Sequence, residues 1–415
     1  MLAALATTVV AGLSTPCASA SLTLARALSL AQANAPTYAA ARARVRQAQA
    51  VVAEHGAAWR PTVSLPIGYV HNDDGRFVAL NGPDEYTLQA AVHIPILDPA
   101  RNAAYRSAVA QLKSARFGLA QAGRAVDLAV VQAYFAVLES QEALAVERAG
   151  LKTLQDEATA AQRRFSQGAG SRLDLDRARF AATQQQAAVI VSQASVETTR
   201  RRLSSLLGVP ACGALTPPPA PPTVSGNLAA LASSRRPGIQ AADADVQAAK
   251  ADLQAAEAAR HWPAIGPDLM AGWDSNGPPG SVPGQLGWAA GISVSVPIYS
   301  GGAGAARVEE ARQAEAIQQA NRQALSSHVD LALGDDRVAA SAAGAQERLA
   351  TQQVKLAQEE LKMSRFGFGQ GSVPLIEVLR TEQAAIGAAA SLASAHLDLE
   401  LSRYRLAWDV GVQLP

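Results

Sequence analysis

Few side chains in this sequence are grouped in a way that could do chemistry. His55, His71, His93, His261, His328 and His396 are scattered without metal-ligand spacing, and Cys17 and Cys212 form no thiolate cluster. No glycine-rich loop opens from a strand into a helix to hold a phosphate, and no serine elbow presents a nucleophile. What stands out is a doubled pattern. Phe165-Ser-Gln-Gly168-Ala-Gly-Ser171-Arg-Leu-Asp174 is answered by Phe368-Gly-Gln-Gly371-Ser-Val-Pro374-Leu-Ile-Glu377. Gly168 and Gly371 suit a tight reversal, through positive φ or close backbone approach. Ser171 is placed to cap a returning helix with Asp174 in the box position, and Pro374 suits a helix first turn. Each copy thus sets a carboxylate, Asp174 or Glu377, just inside a helix. Arg380 follows Glu377 by three residues and could pair with it on one helix face. The chemistry on offer is electrostatic rather than catalytic, and the chain reads as neither an enzyme nor a cofactor carrier.

The elements that hold these turns repeat as well. Pro36 heads an Ala-rich helical pattern ending at Pro61, and Pro237 heads another ending at Pro263. Ile94-Pro95-Ile96 is answered by Val296-Pro297-Ile298, and Leu207-Gly208-Val209 by Val410-Gly411-Val412. Partners stay 201 to 203 residues apart throughout, so the chain is a tandem duplication. The repeats span residues 21–208 and 227–415, joined by a Pro-rich connector over 209–226 that cannot be helical. Each reads helix, strand, loop, strand, very long helix, tight turn, long helix.

Strands are expected at about 62–70, 86–96, 264–273 and 286–298. The last is the clearest. Leu286, Trp288, Ala290, Ile292, Val294, Val296 and Ile298 alternate with Gly, Ala, Ser and finally Pro297. One face is greasy and the other small and polar. Such a strand could pack on a soluble core, or face lipid outside and water inside. Pro66 and Pro267 fall within strands, where they are uncomfortable away from a bend or edge. Tyr69, Tyr86, Trp273 and Trp288 suit interfacial aromatic girdles, with Trp59 and Trp262 marking the opposite boundary; ordinary core packing suits each of them nearly as well.

The helices are expected at about 100–164, 172–206, 303–366 and 374–410. Sixty-odd residues make a rod on the order of 100 Å long, more than one globular core needs. Heptad-like spacing, as in Leu128, Val131, Phe135 and Leu138, supports a plain coiled-coil bundle equally well. A net charge of +1 from 36 basic and 35 acidic residues argues against a nucleic-acid partner. No apolar run reaches the length of a membrane-spanning helix in the mature chain. Residues 1–20 are apolar and close on Ala18-Ser19-Ala20, so a signal peptide with Ser21 first in the mature chain is expected. The basic start of such a segment is missing, which leaves an upstream start open. Cys17 is the alternative, as a lipid-attachment cysteine, though Pro16 before it fits a lipobox poorly.

Four strands per chain cannot close an aqueous barrel, and open edges in lipid cost several kcal/mol per unpaired group. Several chains giving four strands each would resolve this. With Leu22-Thr-Leu-Ala-Arg-Ala-Leu28, the Pro36 helix, the paired hairpins and the doubled F-x-x-G turn, the whole mature chain resembles the TolC-like outer-membrane efflux proteins. The resemblance implies a mainly α chain with membrane β. Three copies would form a 12-stranded outer-membrane barrel, with a periplasmic α-barrel of long helices. It implies a passive exit channel in the outer membrane of a Gram-negative bacterium, partnered by a periplasmic adaptor and an inner-membrane pump. Phe165, Gly168, Ser171, Phe368, Gly371 and Pro374 would then be adaptor-docking tips, and Asp174, Glu377 and Arg380 a periplasmic gate. Leu286, Trp288, Ile292, Val294 and Val296 would face outer-membrane lipid. The competing reading is a soluble periplasmic helical rod with no channel activity.

Overall fold

Proline punctuates the start of each repeat. In the computed structural model, which describes residues 21–71, 84–211, 213–221, 228–275 and 284–412, a short helix precedes each proline-headed one. The expected signal peptide with Cys17, both strand-connecting loops, Cys212 and part of the connector lie outside those residues. Helix α1 (Leu24–Asn34) is capped by Thr23, whose hydroxyl accepts from the Arg26 N–H, and α2 (Pro36–Ala57) follows at once. Their counterparts are α5 (Leu228–Arg235) and α6 (Pro237–His261). A proline at the first helical position keeps its fixed φ, but its ring prevents the preceding helix from running through. One opening helix per repeat was the sequence expectation; there are two. Leu24, Ala27, Leu28 and Ala31 are all buried and carry the i, i+3, i+4, i+7 spacing that marks the extra one.

The strands are β1 (Thr62–Ser64), β2 (Ile67–His71), β3 (Asp84–His93), β4 (Ala264–Asp274) and β5 (Leu286–Ser295). The long helices are α3 (Pro99–Ser166), α4 (Arg172–Leu207), α7 (Ala303–Gly369) and α8 (Leu375–Asp409). With 68 residues, α3 is about 100 Å long. Its Ala-rich composition favours the helix, and its buried Val130, Val131, Tyr134, Phe135, Val137 and Leu138 fix which face packs.

Packing divides the chain into two units, each built from both repeats. One comprises Met1–Ala39, Ala122–Arg235 and Asp330–Pro415; the other comprises Ala40–Gln121 and Arg236–Val329. In the first unit, α1 packs with α3, α4 and α8 around Tyr134, Phe135, Leu203, Leu207 and Tyr404. The connector is held against this core rather than left free on the surface. Leu22 bridges Leu215 in parallel, the Tyr134 hydroxyl lies 2.7 Å from the Leu22 carbonyl, and the Tyr404 hydroxyl donates to the Pro219 carbonyl at 2.6 Å. Burial pushes the Tyr404 phenol up to about 12.

The second unit holds one antiparallel sheet in the order β1-β3-β4-β5, with β2 also on β3. β1 and β2 keep one register against β3, Ser64 facing Ala91 and Ile67 facing Leu88. The break between them is chemical. The Gln89 N–H donates to the Pro66 carbonyl at 3.0 Å, but proline has no N–H to return the bond. Pro267 lies inside β4, a central strand. There Ile94 donates to its carbonyl at 3.1 Å, and the missing donor falls where β3 has already ended. β3 and β5 stop three residues short of the expected bounds, each just before the Ile-Pro or Val-Pro step, so Val296 follows the strand rather than lying in it.

Candidate functional site

The register sorts the sheet into two chemically different faces. Antiparallel partners share a side, so one face collects Ile67, Tyr69, Tyr86, Leu88, Val92, Ile265, Leu269, Trp273, Leu286, Trp288, Ile292 and Val294. The other collects Ser64, Gly68, Thr87, Gln89, His93, Asp268, Gly272, Gly287, Gly291, Ser293 and Ser295. Within the paired lengths the exceptions are Val70 and Met270 on the polar face and the His71–Asp84 pair at the loop end of the apolar one. The apolar face is uncovered in the single chain: Leu286 is 84% and Trp288 80% exposed. On the polar face, His93 Nδ1 meets Asp268 at 2.6 Å across the strands, and Ser293 donates to the Gly266 carbonyl at 3.1 Å. Tyr69 and Tyr86 pair with centroids 5.1 Å apart, next in the register to Trp273, so the aromatics gather at the loop end of the apolar face. Among the described residues β5 pairs only with β4, which leaves its outer edge without a partner there.

The doubled turns lie in the other unit and share the backbone bonds that make the reversal. Gly168 has φ +71° and Gly371 φ +76°, each N–H donating at 3.0 Å to the carbonyl of Phe165 or Phe368. Phe165 and Phe368 both pack against an apolar cluster of Leu154, Ala161, Leu175, Ala178, Ala181, Leu375, Val378 and Leu379, drawn from α3, α4 and α8. The Arg164 guanidinium stacks 4.4 Å over the Phe368 ring, tying the first turn to the second. A cavity of about 100 Å³ lies between them, lined among others by Glu157, Arg164, Ser171, Asp174 and Phe368.

The expected gate residues differ from one another in their surroundings. Asp174 is held in the capping box: its N–H donates to the Ser171 hydroxyl at 3.0 Å, which donates back to its carboxylate at 2.6 Å. Pro374 is the residue before α8 rather than in its first turn, and makes no side-chain cap. Glu377 and Arg380 approach to only 3.9 Å and both are exposed, a loose pair worth little.

A carboxylate that the sequence reading passed over is the most buried polar group here. Glu382 of α8 is 1% exposed, and its Oε1 accepts from Arg365 of α7 at 2.7 Å. Its other oxygen is buried without a hydrogen-bond partner. Burial pushes this carboxyl above the usual range; the Arg365 bond pulls it back, and Glu157 of α3 pushes it up again. The signal was legible. Leu375, Val378, Leu379, Glu382 and Ile386 form one helical stripe, and Glu382 is the charged residue on it.

A duplicated helical chain with a two-faced sheet and paired helical turns invites comparison with known proteins. The family model described as outer membrane efflux protein matches residues 27–209 and 228–411, once for each repeat. The chain belongs to the outer membrane efflux protein family. Its place is the outer membrane of a Gram-negative cell, and its work is transport through a channel rather than catalysis. No curated protein sequence matches it. Among solved structures, the Vibrio cholerae outer membrane protein VceC superposes with a TM-score of 0.81 at 18% identity, covering 94% of this chain and 96% of that one. The Neisseria gonorrhoeae MtrE outer membrane channel gives 0.80 at 18%, covering 94% and 89%. The Campylobacter jejuni CmeC outer membrane channel gives 0.78 at 16%, covering 94% and 85%. These likenesses establish the fold of this efflux-family chain over nearly its whole length.

Proposed function

We propose that this efflux-family chain works as a homotrimer. Its three sheets close into one 12-stranded barrel, and its long helices form the tunnel that carries cargo to it from the periplasm. The observation that carries this reading is the two-faced sheet with its unpaired β5 edge. An apolar face of this size is unstable in water, and an unpaired edge is unstable in lipid, because each unsatisfied backbone group there costs several kcal/mol. Pairing β5 of one copy with β1 and β2 of the next removes both problems. Leu286, Trp288, Ile292 and Val294 then meet lipid, Val296 lies at the boundary, and the Gly and Ser face lines water.

The channel is passive, with energy supplied by an inner-membrane pump through a periplasmic adaptor. Phe165, Gly168, Ser171, Phe368, Gly371 and Pro374 form the turns that meet the adaptor. Asp174, Glu377 and Arg380 stand near the tunnel mouth, where Glu377 and Arg380 carry the mobile charge and Asp174 chiefly holds its own turn. Detergent extraction of outer membranes tests the reading: it requires heat-resistant trimers, and conductance when they are added to planar bilayers. A monomer recovered in the soluble periplasmic fraction would replace it with the structural-rod alternative.

A further inference from the structure

Where the sheet meets the helices, the two repeats differ. In the first, the junction is closed by its own ions. Arg101 Nε donates to Asp98 at 2.8 Å and its Nη1 to the Ala58 carbonyl at 2.7 Å, tying the start of α3 to the end of α2. The step of 202 residues that carries Pro95 onto Pro297 sets Ser300 opposite Asp98, Ala303 opposite Arg101 and Arg260 opposite Ala58. The second junction has therefore gained an arginine and lost the carboxylate. A cavity of about 420 Å³ lies there, lined by Arg260, His261, Ile298, Tyr299, Ser300 and Arg307 among others, with no carboxylate among the described residues of its wall. Neither Arg260 nor Arg307 has an ion pair or a side-chain hydrogen bond among the described residues. The acids nearby do not answer them. Glu309 is engaged by Arg312 and Gln313, Glu310 makes no pair with Arg307, and Glu257 lines a neighbouring cavity.

Beside these cations the surface is apolar. Ile298 is 93% and Tyr299 88% exposed, and Ile298 continues the two-residue step of Ile292, Val294 and Val296. That step sets the cavity on the side of the apolar sheet face, at the end of the strands where the helices begin. Two unpaired guanidiniums suit an anion with several oxygens to share, and the exposed Ile-Tyr step suits hydrocarbon. A phosphate diester carrying acyl chains offers both together, whereas free phosphate offers only the first. We propose that this junction binds an anionic glycerophospholipid of the periplasmic leaflet. Arg260 and Arg307 grip its phosphate, Tyr299 lies along its glycerol and Ile298 among its acyl chains. The site belongs to the second repeat, because Asp98 fills the matching place in the first. It rests on the channel reading for the side on which lipid lies.

Phosphatidylglycerol titrated into the full-length protein in detergent, with bound lipid counted by native mass spectrometry, tests the site. One phosphatidylglycerol per chain should be held in preference to phosphatidylcholine. Arg260→Gln and Arg307→Gln should each weaken it about fivefold, while Arg312→Gln, whose partner is Glu309, leaves it unchanged. Ser300→Asp puts back the carboxylate of the first repeat and should weaken the lipid as much as the loss of one arginine. The fold survives that change: Asp98 accepts from the Arg101 N–H at 3.0 Å, just as Ser300 accepts from the Gly304 N–H at 3.1 Å. Parent affinity in Ser300→Asp or in both arginine variants overturns the site, and so does equal weakening by Arg312→Gln. Displacement of the lipid by inorganic phosphate overturns it too, leaving a free-anion pocket in its place. A protein that conducts in planar bilayers yet prefers neither lipid sinks this site alone. One recovered only in the soluble fraction sinks the channel reading, and the lipid site with it.

Discussion

Placing a charge on either side of β5 tests the facing of the sheet most directly. Ile292 pairs with Pro267 on the apolar face, while its neighbour Ser293 pairs with Gly266 on the polar one. The strand runs Leu286–Ser295, so Ile292 is about 1.5 residues, or ~5 Å, from its middle, and about 4 Å from it in depth at a tilt of ~40°. An arginine at that depth on a lipid face costs about 2–4 kcal/mol per copy, and ~6–12 over three independent copies. Ser293→Arg gives up one hydrogen bond to the Gly266 carbonyl, a net loss of about 0.5–1.5 kcal/mol, partly returned by Asp268 on the same face. Ile292→Arg should therefore be the worse change by at least about 0.5 kcal/mol per copy, about twofold or more in the folding equilibrium. Urea unfolding from phosphatidylcholine vesicles measures the difference, and the fraction of heat-resistant oligomer in outer-membrane extracts gives an independent readout. A more damaging Ser293→Arg would mean that the faces are reversed, and the barrel argument would fall with them.

Three further outcomes are expected. Gly168→Ala and Gly371→Ala should each cost about 1–2 kcal/mol of thermal stability. Nothing lies within 4 Å of the added methyl at either site, so the loss comes from the positive φ alone, and Gly369→Ala serves as the helical control. Tyr404→Phe removes the hydroxyl that anchors the connector at the Pro219 carbonyl and should cost about 1 kcal/mol in denaturant unfolding, with little effect on conductance. His396 is held above its ordinary value, first by its hydrogen bond to Glu347 at 2.7 Å and then by the charges of Glu400, Glu347 and Glu142. A raised histidine contributes stability that is fully present below about pH 6.5 and is lost as pH rises through its folded value, so His396→Gln should flatten the unfolding profile over that window.

Much of this architecture was legible because duplication gave every landmark a second reading. The four long helices, the two turns and the alternation in β5 all follow from spacing alone. What spacing could not supply was the competition between neighbours. Pro66 interrupts a strand without shifting its register, a distinction that depends on which of its backbone groups faces β3. Helix α1 went unread although its buried Leu24, Ala27, Leu28 and Ala31 carry the period, because eleven residues ahead of a proline look like a lead-in. The compact units were out of reach for another reason. They group residues that the repeat separates by some two hundred positions, and only packing brings those together.

Equivalence in sequence also proved weaker than equivalence in role. Asp174 and Glu377 occupy the same step of the repeat, yet one is consumed by a capping box while the other is exposed beside an arginine at 3.9 Å. The cause is one substitution. Ser171 offers a hydroxyl that both accepts from the backbone and donates to Asp174, whereas Pro374 offers neither, so Glu377 has no local acceptor role to fill. The same divergence turns an exposed Gln162–Arg179 link into the buried Arg365–Glu382 pair.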